Sequence, residues 1–264
     1  MALPTVEVRG ERFHCRVDGP GDAPVVVLSN SLGTTLAMWD PQMPTLTARF
    51  RVVRYDTRGH GSSIVSPGGY GIDALGRDVV GLLDALNIPR FHFCGLSMGG
   101  AVGMWLALNA SERIDRLVLA DTAPKFGTAE KWNARIEAVS KGGPGAIADA
   151  VLEGWFTPRF RERAPDTVAR MRQMLLTAPT EGYLASCAAV RDVDLRNSIG
   201  RIVCPTLVIV GTHDVPTPPA QARELTERIA GARYVELDAA HISNVEAAQS
   251  FSAELLGFLT SEKR

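Results

Sequence analysis

A chain of 264 residues, 45% of them hydrophobic, can bury the core of one large α/β domain with room for an insertion. Its 28 basic and 29 acidic side chains leave a formal net charge of −1, which gives no electrostatic footprint for nucleic acid or an anionic membrane surface. No apolar run reaches bilayer length, and residues 1–7 lack a basic stretch followed by an apolar one, so neither a membrane span nor a signal peptide is expected.

Residues 5–8 and 13–17 alternate like half-exposed strands, with Arg9-Gly10-Glu11 as the turn between them. Residues 23–29 form a continuous β-branched run, the pattern of a strand buried on both faces, and end in the small-residue loop Asn30-Ser31-Leu32-Gly33-Thr34-Thr35. A short helix is predicted over 41–50 and a strand over 51–55, closed by Asp56-Thr57-Arg58-Gly59-His60-Gly61. Residues 72–86 have helical spacing, with Leu75, Val79, Leu82, Leu83 and Leu86 on one side. The apolar run from Phe91 leads into a glycine-rich turn and an amphipathic helix over 101–109, and a further strand spans 114–120. From Pro124 the rhythm changes. Helical patterns over 130–140, 146–155, 164–176 and 182–190 follow one another without β-branched runs, punctuated by Gly142-Gly143-Pro144-Gly145, Thr157-Pro158 and Pro179. The α/β rhythm resumes with strands over 205–211 and 233–237, a helix over 219–229 between them, and a closing helix over 245–259. The expected fold is α/β: a mostly parallel eight-stranded sheet with helices on both faces. Residues 1–123 and 191–264 form its core, and 124–190 form a helical cap inserted after the sixth strand.

Gly95-Leu96-Ser97-Met98-Gly99 is a G-x-S-x-G pattern between a strand and a helix. A nucleophile held proud of a strand end needs a sharp turn whose flanking residues lack side chains, and the helix N-terminus beneath it favours developing negative charge. A serine hydroxyl also needs a general base, and the base needs a group that fixes its tautomer. Of five histidines, His14 and His92 sit within strands, His60 reads as a turn residue bonded to backbone, and the His213 side chain should point away from that of Asp214. His241, on a small-residue loop after the last strand, is the expected base. The chain order Ser…Asp…His leaves Asp121, Asp192, Asp194, Asp214 and Asp238 as possible carboxylates. Asp214, after the strand preceding the histidine's, is preferred; Asp121 is next; Asp192 and Asp194 read as solvated or capping groups. Backbone N–H groups of Met98 and Leu32 are the expected oxyanion donors. No cofactor is expected: there is neither G-x-G-x-x-G after a strand with an acidic residue beyond it nor a P-loop. No metal is expected either, since H-E-x-x-H is missing. Cys15, Cys94, Cys187 and Cys204 lie far apart without C-x-x-C, arguing against a zinc site or disulfide framework and for a reducing, cytoplasmic compartment.

Together these positions resemble the α/β-hydrolase superfamily over essentially the whole chain. Ser29-Asn30-Ser31-Leu32-Gly33-Thr34, Arg54-Tyr55-Asp56-Thr57-Arg58-Gly59-His60-Gly61, Gly95-Leu96-Ser97-Met98-Gly99-Gly100 and Ala239-Ala240-His241-Ile242-Ser243-Asn244 resemble 3-oxoadipate enol-lactonases. So do Trp155-Phe156-Thr157-Pro158 and Cys187-Ala188-Ala189-Val190-Arg191-Asp192. Where the superfamily often carries His-Gly, this chain has Asn30-Ser31, as the lactonases do. The resemblance implies opening of an anionic enol-lactone to 3-oxoadipate in the β-ketoadipate pathway of aromatic catabolism. That substrate carries a carboxylate, so a cation should wait near Ser97. Lys125, Lys131, Arg135 and Arg191 are available; Arg135 shares a helix face with Trp132 at i, i+3, so that Trp132 would wall the ring while Arg135 held the carboxylate. A general carboxylesterase, a carbon–carbon bond hydrolase of ring-cleavage products and, more remotely, a ligand-sensing receptor on a hydrolase fold are the alternatives.

Overall fold

The computed structural model describes residues 4–66 and 68–261; Met1, Ala2 and Leu3, part of the stretch read for a signal peptide, lie outside them. The β-branched and aromatic runs become eight strands. They are β1 (Thr5–Val8), β2 (Glu11–Asp18), β3 (Val25–Ser29), β4 (Arg51–Tyr55), β5 (Phe91–Leu96), β6 (Ile114–Ala120), β7 (Thr206–Gly211) and β8 (Arg233–Leu237). All lie in one sheet, in the order β1-β2-β4-β3-β5-β6-β7-β8. The hairpin partners β1 and β2 are antiparallel, β2 pairs antiparallel with β4, and every later pairing is parallel. Every residue of β5 and β7 is buried, as strands covered on both faces must be. The register matches Ser29 with Gly95, Leu96 with Ala120, Ala120 with Ile209 and Gly211 with Leu237. Strand ends therefore lie side by side, and the loops that follow them gather along one edge, where open α/β sheets bind ligands.

The helices are α1 (Met43–Leu46), α2 (Ile72–Ala85), α3 (Met98–Asn109), α4 (Ala129–Gly142), α5 (Ala148–Trp155), α6 (Pro158–Arg163), α7 (Pro165–Leu176), α8 (Thr180–Asp192), α9 (Pro219–Arg228), α10 (Ser243–Glu246) and α11 (Ala248–Thr260). Four sequence expectations are corrected. The helix expected over 41–50 is a 3₁₀ stretch, Leu36–Gln42, followed by the single turn of α1; Pro41 and Pro44 withhold the N–H groups that an α-helix there would use. Helix α3 starts at Met98, not Ala101, and is buried on nearly every side rather than amphipathic, because it packs on β5 and β6 and is covered by α2. The last helix is broken at Ala247 into α10 and α11. Helix α6 was hidden in what reads as Thr157-Pro158 punctuation: the Thr157 hydroxyl caps it by accepting from the Phe160 N–H at 3.2 Å, with Pro158 in its first turn.

Helices α4 to α8 all lie between β6 and β7 in sequence. The chain leaves the sheet at Pro124 and returns at Leu195, where the Leu195 N–H donates to the Pro124 carbonyl at 2.9 Å. No helix among the described residues is long and apolar enough to cross a membrane. Arg58, nearly buried, grips both oxygens of Asp78 on α2 at 2.7 Å and pairs with Glu11 on β2, so it fixes the β4 loop to two elements.

Trp39 is fully buried; its indole N–H donates to Asn30 Oδ1 at 3.0 Å, and its ring lies 6.1 Å from that of Phe251 on α11. Trp39→Ala should cost about 3–5 kcal/mol, read as a lower urea midpoint at unchanged slope. Trp39→Phe should cost less while leaving Asn30 short of one donor.

Candidate active site

Ser97 stands between the end of β5 and the start of α3 with φ 58° and ψ −115°. A serine there costs on the order of 1–3 kcal/mol and persists only because its surroundings fix it. A Cβ on Gly95 would collide with the Gly99 carbonyl, and one on Gly99 would collide with the Ser29 carbonyl, so both positions need glycine. The Ser97 N–H donates to the Ala120 carbonyl at 2.9 Å, the Gly99 N–H to the Asn30 carbonyl at 3.1 Å, and the Thr122 hydroxyl to the Ser97 carbonyl at 2.7 Å. Neighbouring strand ends thus hold the turn from both sides.

The structure brings together Ser97, His241 and Asp214. Ser97 Oγ lies 2.9 Å from His241 Nε2, and His241 Nδ1 lies 2.9 Å from Asp214 Oδ2. An Nδ1–H donating to the carboxylate leaves Nε2 as acceptor for the serine hydroxyl, the tautomer that a general base needs. Asp214 is itself held: its Oδ1 accepts from the Thr217 N–H at 2.8 Å and its Oδ2 from the Thr217 hydroxyl at 2.7 Å. All three are buried, Ser97 at 7% exposure. Burial pulls the His241 pKa down, but the charge and hydrogen bond of Asp214, with the charge of Asp121, outweigh it and leave it above the usual histidine value.

Asp121 is equally buried, but its oxygens accept from the Gly211 N–H and from Ser243 instead of meeting the imidazole. Asp192 and Asp194 form exposed pairs with Arg191 and Arg196, and Asp238 pairs with Arg159 and His213 at the surface. His14 bonds Asp56 at 2.7 Å, and Asp56 also accepts from the Leu36 and Ser62 N–H groups, so that pair shapes loops.

In the loop after β3, the Ser31 N–H faces Met38 Sδ, the Gly33 N–H donates to His60 Nε2 at 3.0 Å and the Thr34 N–H donates to the Ser31 carbonyl. Burial lowers the pKa of His60 and keeps it the neutral acceptor that this bond requires. Asn30 is occupied too, donating to the Tyr55 carbonyl and accepting from Trp39. Among the described residues no protein group takes the N–H of Leu32 or of Met98. Leu32 sits on the cavity wall with Ser97, and Met98 opens α3.

Ser97 and His241 open into a cavity of about 440 Å³, within the size of small-molecule sites. Helices α4 and α5 roof it, bringing Lys131, Trp132, Arg135 and Trp155 to its wall. The Trp132 indole N–H donates to the Phe126 carbonyl at 2.8 Å, and the Arg135 guanidinium lies 5.3 Å from the Trp132 ring and 5.9 Å from the Tyr183 ring. Among the described residues no carboxylate pairs with Arg135. Lys125 bonds Asp194, and Arg191 bonds Asp192 and Asn133, which turns both from the cavity.

Sequence reasoning missed the groups behind the relay. Thr217, three residues after Asp214, carries the spacing of an Asx-type turn and was findable on that signal. Glu246 accepts from the Thr157 N–H at 3.1 Å, from the Thr157 hydroxyl and from the Ala240 N–H at 3.0 Å, while the Ile242 N–H donates to the Trp155 carbonyl at 3.1 Å. These bonds join the roof to the histidine loop, and no local pattern announces them.

Residues 24–153 match the family model of the alpha/beta hydrolase fold. 3-Oxoadipate enol-lactonase 2 of Acinetobacter baylyi is 43% identical over 234 residues, 89% of this chain and 88% of its own length. A putative carbamate hydrolase, RutD, of Variovorax paradoxus is 33% identical, covering 94% of this chain and 96% of its own. The crystal structure of the enol-lactonase from Burkholderia xenovorans superposes with a TM-score of 0.96 at 49% identity, over 98% of this chain and 100% of that one. The chain belongs to the α/β-hydrolase family, and over most of its length it is similar to that family's 3-oxoadipate enol-lactonases.

Proposed function

We propose that this enzyme hydrolyses 3-oxoadipate enol-lactone to 3-oxoadipate, with Ser97 as nucleophile, His241 as general base and Asp214 as its orienting carboxylate. One observation carries the reading. The serine–imidazole–carboxylate relay opens into a cavity whose roof offers Arg135, a cation with no carboxylate partner among the described residues, beside the indole of Trp132. An anionic ring of small size matches that pairing of an apolar wall and a fixed positive charge, with Lys131 a second cation on the same wall. The likeness to enol-lactonases supports the same choice.

In this mechanism Ser97 Oγ attacks the lactone carbonyl carbon as His241 Nε2 takes its proton. The oxyanion is received by the N–H groups of Leu32 and Met98, which no protein group among the described residues occupies. Collapse breaks the ring C–O bond and expels an enolate, a better leaving group than an alkoxide, so departure needs little acid assistance; the imidazolium then gives its proton to the enolate, leaving an enol and a neutral His241. Ring opening releases nothing: the enol stays tethered to the acyl group. Its ketonisation removes the internal nucleophile, and water, activated by His241, then cleaves the acyl-enzyme to give the new carboxylate and free Ser97. The helices over 124–190 act as a cap that shapes the ring site. Four free buried cysteines fit the reducing conditions of a cytoplasmic setting.

A steady-state assay of enol-lactone opening against a neutral p-nitrophenyl ester, a carbon–carbon ring-cleavage product and a simple carbamate tests the choice of substrate. The enol-lactone should give the highest kcat/KM, with many turnovers per site; preference for another arm, or a single slow turnover, would reject it. Ser97→Ala should lower kcat by about 10⁶ and Asp214→Asn by about 10⁴; a near-normal Asp214→Asn enzyme would remove that residue from its role. Arg135→Ala should raise KM for the lactone by roughly 10- to 100-fold, as loss of a charged hydrogen bond implies, while leaving that of the neutral ester within about threefold. Since His241 must be neutral to act as base and the charge and hydrogen bond of Asp214 hold its pKa above that of an ordinary histidine, kcat/KM should fall with acid through a midpoint above that of a free imidazole.

A further inference from the structure

Asp121 is absent from the mechanism above, yet it is fully buried at the end of β6 and held at φ 45°. A non-glycine residue in that conformation is uncommon, and Ser97 is the other such residue at this edge of the sheet. Its Oδ1 accepts from the Gly211 N–H at 2.8 Å, three residues before Asp214. Its Oδ2 accepts from the Ser243 hydroxyl at 2.5 Å and the Ser243 N–H at 3.3 Å, two residues after His241. Its neighbours complete the connection: the Ala120 carbonyl accepts from the Ser97 N–H, and the Thr122 hydroxyl donates to the Ser97 carbonyl. Three consecutive residues thus touch the roots of all three loops that deliver Ser97, Asp214 and His241.

We infer that Asp121 is a positioning residue for hydrolysis, a buried carboxylate that bolts the Asp214 and His241 loops to each other and to the nucleophile's turn. The inference rests on the catalytic reading of those three residues. A spacer of this geometry needs only hydrogen-bond acceptors, which a neutral amide supplies in part. A carboxylate adds charge next to the imidazole. The charged groups acting on His241 are Asp214 and Asp121, which favour its protonated form, and Arg135 from α4, which opposes it. Asp121 in turn is acted on by Asp214 and His241, and its own charge raises the buried Cys94 thiol. Burial first, then the Asp214 charge, raises the Asp121 pKa, while the His241 charge and the bonds from Ser243 and Gly211 lower it, so its ionisation and that of His241 are linked: each charged form favours the other.

The test uses Asp121→Asn and Ser243→Ala in the full-length protein, with kinetics on the enol-lactone and titration of the His241 ring by NMR in the free enzyme. Asp121→Asn should lower kcat by roughly 10- to 100-fold, the scale of a small misplacement of reacting groups, with KM within about threefold. Loss of the carboxylate charge should also move the His241 titration, and the acid limb of kcat/KM, to lower pH by about half a unit or more. Ser243→Ala removes one of three donors and should move kcat and titration the same way by a smaller amount; if Asp121→Asn does not fold, this variant decides. An unchanged His241 titration with wild-type kcat, in Asp121→Asn or, failing that, in Ser243→Ala, would overturn the inference. A fall in kcat that tracks a fall in thermal stability, with the titration unmoved, would overturn it as well and leave Asp121 a packing residue. The ring titration needs no substrate, so a wrong choice of lactone would show in the wild-type assay and leave this result standing.

Discussion

An imidazole held between a serine 144 residues away and a carboxylate 27 residues away is the contact the molecule is arranged to make. Neither distance along the chain matters once the strands are parallel and in register, because β5, β6, β7 and β8 are successive neighbours and their ends line one edge. The six buried residues of β5 and of β7 supply the apolar area that makes this register worth keeping. A slip of one residue would send the alternating side chains of a strand to the other face and carry its terminal loop away from the others. The geometry of the site is therefore a property of the core.

The edge where the loops meet concentrates what the core would not tolerate: a serine in a strained backbone conformation and two carboxylates with almost no access to water. Each is over-determined locally. Ser97 is pinned by Ala120 and Thr122, Asp214 receives two bonds from Thr217, and Asp121 receives three donors. Asn30 is fixed by the same economy. Its side chain is spent on Tyr55 and Trp39, and His60 steadies the neighbouring Gly33.

Most of the fold was legible because its strands are continuous β-branched runs and its turns are marked by glycine; β4 and β6 begin and end where the pattern places them. Misreadings fell where local pattern and tertiary setting disagree. The prolines near Trp39 turned an apparent helix into a 3₁₀ stretch, and a threonine–proline pair that looked like a break proved to start α6. The members of the relay were legible because a nucleophile turn and a histidine after the last strand are local features. Chain order leaves both Asp121 and Asp214 open; the preference for Asp214 rests on its place after the strand preceding the histidine's, and both are buried at the same edge. What separates them is the direction of two carboxylates, which depends on Thr217 and Ser243 and on no spacing along the chain. Trp132 and Arg135 could be paired from their helical offset, but the partner ring of Tyr183 comes from α8, far along the sequence.

The helices between β6 and β7 leave and rejoin the sheet through one backbone hydrogen bond, from Leu195 to Pro124. Such a narrow isthmus lets that excursion drift in length and shape while the strands beneath keep their alignment, so new ligands can be accommodated by remodelling the roof alone. The freedom has a boundary. Glu246 holds Thr157 and Ala240 together, and the Trp155 carbonyl holds Ile242, so the roof and the imidazole share fastenings. A replacement roof that failed to present a hydroxyl and a carbonyl at those two points would loosen the loop that carries His241.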